Sequence, residues 1–222
     1  MFNQNPTDLI KAIIFDLDGV IVDTAHYHYI AWKRLAQELG IDLTLADNEK
    51  LKGVSRVRSM EIILALGGVT LGDEERESMA NKKNTWFVDH LERMAPDEIF
   101  PGVKELLTTL RKRGIKVALA SSSKNAKRVI QLLHIEDAFD VVVDGNMIVH
   151  SKPDPEIFLL AASKLGLPAA ECLVFEDAEA GVEAAKAAGM KCVGIGSKDQ
   201  LGKADVVLAT TGEFDPDTLT QF

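Results

Sequence analysis

The sequence predicts an α/β protein: a Rossmann-like parallel sheet core with helices on both faces, interrupted after its first strand by an inserted all-helical cap domain. Three observations lead there. The opening stretch 11–24, KAIIFDLDGVIVDT, is an apolar run that stops abruptly at two aspartates and a glycine. From residue 96 onward, apolar runs of strand length alternate with segments of helical period. Between these parts, 24–95 has helical periodicity and no convincing strand.

Taken in order, residues 12–15 (AIIF) make a strand apolar on both faces, as a central parallel strand must be. Residues 24–39 carry an apolar stripe at Tyr27, Ile30, Ala31, Leu35 and Leu39, and Gly40 stops that helix. A glycine-containing turn, LKGVSR at 51–56, leads into a helix over 57–66, ended by Gly67 and Gly68. A longer helix spans 73–94, with Met79, Trp86, Phe87 and Leu91 among its apolar positions. Helices at 103–110, 125–133, 155–165 and 178–188 then alternate with strands at 115–120, 139–143, 172–175, 190–195 and 205–208. The tail, GEFDPDTLTQF, adds at most a short closing turn. The expected division is therefore 1–23 and 96–222 for the core and 24–95 for the cap. Two connections between them suggest a hinge, and a helical lid over the sheet's carboxyl edge would exclude water.

Composition narrows the function. The chain has 222 residues, 46% of them hydrophobic, with 25 Lys and Arg against 34 Asp and Glu and a formal charge of -9. That balance argues against a nucleic-acid surface and suits small-molecule ligands. No apolar run approaches the roughly 18 residues of a membrane span, and MFNQNPTDL has neither a basic nor an apolar leader pattern. A cytoplasmic protein without a membrane partner is expected, and a monomer. Cys172 and Cys192 each sit inside apolar runs and read as reduced core thiols.

Chemistry gathers at the strand ends. Alternation sends Asp16 and Asp18 to the same side, where an open α/β sheet has its ligand crevice. Other strand ends bring Ser121, Ser122 and Ser123, then Lys152, then Glu176 and Asp177. Two carboxylates about 4 Å apart repel by about 4 kcal/mol at an effective dielectric of 20, so Asp16, Glu176 and Asp177 together call for a cation. An all-oxygen set favours Mg²⁺. Alternatively, Glu176 and Asp177 cap the helix that follows them. The run SSSKN at 121–125 offers hydroxyls and helix-start N–H groups to a phosphate, or serves as an ordinary cap. Asp154 and Pro155 specify a helix start that fixes Lys152 just before it. Directed inward, that lysine would offset the charge of a phosphate and of the aspartate beneath it.

Taken together, Asp16-Leu17-Asp18-Gly19, a serine after the second buried strand, Lys152-Pro153 and Glu176-Asp177 resemble the four motifs of the haloacid dehalogenase superfamily, in order. The resemblance implies that Asp16 attacks phosphorus to form an aspartyl phosphate and that Asp18 is the general acid/base. It also implies that Mg²⁺ binds Asp16, the Asp18 carbonyl and Asp177, with Glu176 assisting. Within the superfamily, DGVIVDTAHYHYIAW and LKGVSR resemble the β-phosphoglucomutase family. Its pattern falls on Thr24, His28 and Trp32, which share a helix face, and on Lys52, Gly53 and Arg56. By that resemblance His28 couples cap closure to the acid/base aspartate. Lys52, Gly53, Arg56, Ser121 and Asn125 engage the sugar and the phosphate that is not transferred. The implied reaction interconverts β-D-glucose 1-phosphate and 6-phosphate, with β-D-glucose 1,6-bisphosphate as intermediate and activator. A bisphosphate needs a second cationic site, which Arg56 would supply and a plain phosphatase would not require. Two alternatives stand beside this one: a Mg²⁺-dependent sugar-phosphate phosphatase of the same superfamily, and a non-catalytic phosphosugar sensor.

Overall fold

Strand alternation decides which layer each side chain enters. The computed structural model describes residues 10–222, so the expectation for MFNQNPTDL, and the part of the core segment that it forms, lie outside the described residues. Six strands, β1 (Ala12–Phe15), β2 (Lys116–Ala120), β3 (Val141–Val143), β4 (Cys172–Glu176), β5 (Lys191–Ile195) and β6 (Val206–Leu208), form one sheet in the order β3-β2-β1-β4-β5-β6. Every pairing is parallel, and Phe15 lies level with Leu119 on one side and Phe175 on the other. Ile13, Phe15, Val117, Leu119, Leu173, Phe175, Val193 and Ile195 enter one core layer. Their neighbours Ala12, Ile14, Ala118, Ala120, Cys172, Val174 and Cys192 enter the other.

Helices cover both layers. The helices α5 (Val103–Lys112) and α6 (Ala126–Leu132) supply Leu106, Leu107, Val129 and Ile130 to the first layer. On the other face, α7 (Glu156–Leu165) and α8 (Glu179–Ala187) supply Phe158, Ala161, Val182 and Ala185. Both cysteines are buried and unpaired.

Between β1 and β2 in sequence come α1 (Ala25–Glu38), α2 (Leu45–Glu49), α3 (Arg56–Gly67) and α4 (Asp73–Leu91). They enclose their own cluster of Trp32, Leu35, Leu43, Met60, Ile63 and Leu64. Ala31, Phe87 and Leu91 run on from α1 and α4 into the sheet's first layer. None of the helices described is long and apolar enough to cross a membrane.

Four sequence expectations change in detail. The five-residue α2 has no apolar period to announce it and is held by a capping box between Thr44 and Asp47. α4 stops at Leu91, and β3 begins at Val141, just after Asp140, whose side chain accepts from the Val117 N–H at 2.8 Å. The tail is more than a closing turn: 3-10 segments at Thr211–Glu213 and Pro216–Gln221 bury Phe214 and Leu219, and Phe214 meets Phe175 edge-on at 4.9 Å.

Candidate active site

Four strand ends deliver the polar groups. Asp16 follows β1 with its N–H bonded to the Phe175 carbonyl at 2.9 Å, which fixes it beside the end of β4. Lys152 reaches the same place from the loop before α7. Its Nζ donates to Asp16 Oδ1 at 2.6 Å, to Glu176 Oε2 at 2.8 Å and to the Ala120 carbonyl at 3.4 Å. All three charged side chains are buried. Burial works against the Lys152 charge, but Asp16 and Glu176 outweigh it and raise its pKa.

That loop is braced from below. Glu156 accepts from the backbone N–H groups of Val149 at 2.9 Å and His150 at 2.6 Å, and Asp154 accepts from the Glu156 N–H at 2.9 Å. His150, Asp154 and Glu156 form a surface cluster whose oxygens are thereby already engaged. The start of α7 is shifted by one residue from expectation: Pro155 holds the cap position and Glu156 opens the helix, with Asp154 before them supplying the side-chain acceptor.

Asp16, Glu176 and Asp177 offer carboxylate oxygens that all lie within 4.8 Å of one another. The Asp18 carboxylate is outside this group, so any contribution it makes to an ion there comes from its carbonyl. Burial, followed by the Asp16 charge, pushes Asp18 and Asp177 up to about 8. Burial also pushes Glu176 up to about 8, against the opposing pull of Lys152. Buried carboxyls raised in this way mark a site short of positive charge, and a divalent cation matches the deficit. Gly19, at φ +73°, makes room: a Cβ there would lie 2.1 Å from Asp177 Oδ2. Gly181 does the same on α8, where a Cβ would lie 1.9 Å from Glu176 Cδ. The capping alternative is also met in part, since Glu176 Oε1 accepts from the Ala178 N–H at 3.2 Å.

A cavity of about 670 Å³ opens over this centre, lined among others by Asp16, Asp18, His28, Trp32, Lys52, Gly53, Arg56, Ser121, Ser122, Asn125 and Asp177. Thr24, Lys152 and Glu176 stand behind its wall; Thr24 caps α1, is fully buried, and its hydroxyl has no hydrogen-bond partner among the described residues. Across the cavity the α2–α3 turn touches the loop that follows β2: Ser122 Oγ donates to the Gly53 carbonyl at 2.9 Å. Lys52 pairs with Glu49 at 3.0 Å; burial works against its charge, but Glu49 and then Asp177 raise its pKa. The run 121–125 is partly self-occupied, because Ser121 and Ser123 accept from the N–H groups of Ser123 and Asn125, both at 3.2 Å. Ordinary capping and a phosphate seat therefore share this loop.

Among the described residues, Arg56 is a cation without a carboxylate partner. Its Nη1 and Nη2 donate to the amide oxygens of Asn81 at 3.3 Å and Asn84 at 2.8 Å, and burial lowers its pKa. Asn125 Nδ2 donates to the same Asn84 oxygen at 2.9 Å. His28 stacks on Phe87 with ring centroids 3.8 Å apart, and its Nδ1 lies 2.7 Å from Lys83 Nζ. Lys83 is buried beneath Trp32, with Nζ 4.4 Å from the ring centroid. Burial first, then the charges of Lys83 and Arg56, hold His28 well below its ordinary pKa, and burial followed by Arg56 does the same to Lys83. Sequence reasoning missed Lys83 and Asn84. Position 83 does continue the stripe Phe87–Leu91 backwards at helical spacing, which was the available signal.

A family model described as haloacid dehalogenase-like hydrolase matches residues 10–189. The chain belongs to the haloacid dehalogenase-like hydrolase family. It is 42% identical over 207 residues to the β-phosphoglucomutase of Bacillus subtilis, covering 92% of each chain. A phosphorylated carbohydrates phosphatase of Thermotoga maritima is 35% identical over 188 residues, covering 82% of this chain and 83% of the relative. The crystal structure of a β-phosphoglucomutase from Clostridium difficile matches with a TM-score of 0.93 and 40% identity over 96% of both chains. As a haloacid dehalogenase-like protein the chain has its charged groups where that fold carries chemistry, at the carboxyl edge of a parallel sheet.

Proposed function

We propose that this protein is a β-phosphoglucomutase, interconverting β-D-glucose 1-phosphate and β-D-glucose 6-phosphate through a phospho-aspartate and β-D-glucose 1,6-bisphosphate, which also serves as activator. The observation that carries the proposal is a second anion seat in the cavity of the nucleophile: Arg56 and Asn125 line the same space as Asp16 and Asp18, and Arg56 has no acidic partner among the described residues. A bisphosphate needs two such seats, and the removal of one phosphate from a small substrate needs one. The 42% identity to the Bacillus subtilis enzyme supports the same choice.

Asp16 is the nucleophile, Asp18 the general acid/base, and Lys152 the cation that offsets the charge of the incoming phosphate. Asp16, Asp177 and the Asp18 carbonyl would hold Mg²⁺, with Glu176 assisting, and Mg²⁺ bound there would neutralise the transferring phosphoryl oxygens. Asp16 in its phosphorylated form gives its phosphoryl group to the free hydroxyl of a bound sugar monophosphate. Asp18 takes that hydroxyl's proton and returns one when the other sugar oxygen leaves. Between the two transfers the bisphosphate turns over, and the phosphate no longer being transferred rests on Arg56, Ser121, Ser122 and Asn125. Thr24, His28 and Trp32 with Lys52 and Gly53 belong to a cap, residues 24–95, which closes on a core of 1–23 and 96–222. Closure keeps water from competing as phosphoryl acceptor. The enzyme works as a cytoplasmic monomer on soluble hexose phosphates.

The test is a product balance. With Mg²⁺, β-glucose 1-phosphate and a trace of bisphosphate, glucose 6-phosphate should form much faster than inorganic phosphate. Phosphate release that outruns isomerisation would reject the mutase in favour of a sugar-phosphate phosphatase, and failure to label Asp16 would leave a phosphosugar sensor.

A further inference from the structure

We propose that Asn84 is a positioning residue of the second anion seat: its single amide oxygen joins Arg56 to Asn125 and so aligns the two halves of that seat across the cleft. The inference rests on the reading of Arg56 and Asn125 as holders of the phosphate that is not being transferred. The two donors come from distant parts of the chain. Arg56 opens α3, whereas Asn125 immediately precedes α6 beyond β2. Both converge on Asn84 Oδ1, at 2.8 and 2.9 Å. A carbonyl oxygen has two lone pairs, and here each has its own donor.

Arg56 is gripped further by Asn81, one turn earlier on α4, which accepts from Nη1 at 3.3 Å. The guanidinium fork is thus pinned by two amides on one helix face, while Arg56 and Asn125 line the cavity that Asn84 itself does not. Asn84 therefore acts from behind, through them. Amide chemistry suits the task, because a carboxylate at 84 would neutralise Arg56 and compete with the phosphate, and an apolar side chain would leave both donors free to turn away. The preceding residue, Lys83, holds His28 at 2.7 Å. Consecutive residues of α4 thus fix one group of the cavity wall, His28, and one of the anion seat, Arg56, so a shift of that helix disturbs both together.

The experiment compares two quantities in Asn84→Ala. Affinity for β-D-glucose 6-phosphate, measured calorimetrically with Mg²⁺ and no phosphoryl donor, should fall about tenfold. Phosphorylation of Asp16 by acetyl phosphate, a donor with no second anion, should change by less than about twofold. In an Arg56→Ala, Asn125→Ala background the Asn84 substitution should add nothing, since the groups it acts through are gone. Asn84→Asp, isosteric with the amide and expected to fold as it does, should weaken sugar-phosphate affinity at least as much as alanine. Unchanged affinity in either variant, a parallel loss of affinity and acetyl phosphate reactivity, or an undiminished loss in the double background would overturn the proposal. Wild-type protein that binds the sugar phosphate without isomerising it would end the mutase reading alone, because the affinity comparison stands without turnover.

Discussion

The ammonium of Lys152 lies 2.6 Å from the carboxylate of Asp16, with the lysine side chain fully buried and that of the aspartate 5% exposed. Glu176 completes the arrangement at 2.8 Å, so one cation answers two buried anions. Such a group is difficult to remove, because its loss leaves uncompensated charge in a medium that solvates it poorly.

Lys152→Met keeps the length of the stem and deletes the charge. Chemical denaturation without Mg²⁺ should show a loss of about 3–5 kcal/mol at pH 8. The loss should be smaller at pH 5, where a proton on Glu176, which burial pushes up to about 8, can replace part of the missing counter-charge. Phosphoryl transfer should drop by about 10²–10³ at either pH. A variant with wild-type stability at pH 8 would show that Lys152 is not what holds the two carboxylates together.

Mg²⁺ should stabilise the fold by mass action, by about 2.7 kcal/mol at one hundred times its dissociation constant. Asp177→Asn should abolish most of that gain. Burial and then Asp16 push Asp177 up to about 8, and burial pushes Glu176 to a similar value, so protons must leave as the cation arrives. Affinity for Mg²⁺ should accordingly rise between pH 6 and pH 8, with proton release visible as a dependence of the calorimetric heat on the buffer's ionisation enthalpy. Binding that ignores pH over this range would mean that the carboxylates are already ionised without the metal.

Much of this centre can be read from the sequence because strands advertise their ends. The run AIIF stops at Asp16, and CLVF stops at Glu176, so side-chain alternation and parallel order bring both to one edge without knowledge of the loops between them. Helix α4 gives no such warning. Its sequence DEERESMANKKNTWFVDHL is polar nearly throughout, and Lys82-Lys83-Asn84 reads as a solvated stretch, yet Lys83 is buried and Asn84 bridges to Asn125. What turns α4 is packing on α1 through Phe87 and Leu91, a tertiary cause that local periodicity barely registers. The tail gives little sign of its role for a related reason: Phe214 and Leu219 are isolated apolar residues, and only the exposed end of a core layer tells them where to go.

Lys83 itself provides the last test. A lysine held well below its ordinary pKa by burial and by Arg56 binds fewer protons in the folded state than in the unfolded one, at every pH between its folded value and about 10.4. Stability therefore rises with pH across that window, and at neutral pH the fold bears the burden of a buried amine against Trp32 and Phe87. Lys83→Met fills the same volume without the charge. It should gain about 1–3 kcal/mol at pH 7 and lose the upward slope toward pH 10, as followed by denaturant unfolding at several pH values. His28 is held low by burial and then by Lys83, so removing the amine should raise its pKa, which NMR titration of the imidazole would report. Turnover should fall even as stability rises, since the imidazole loses the contact that orients it over Phe87. A less stable Lys83→Met protein with an unmoved His28 titration would mean that the lysine is charged in the fold and paired with a group other than the histidine.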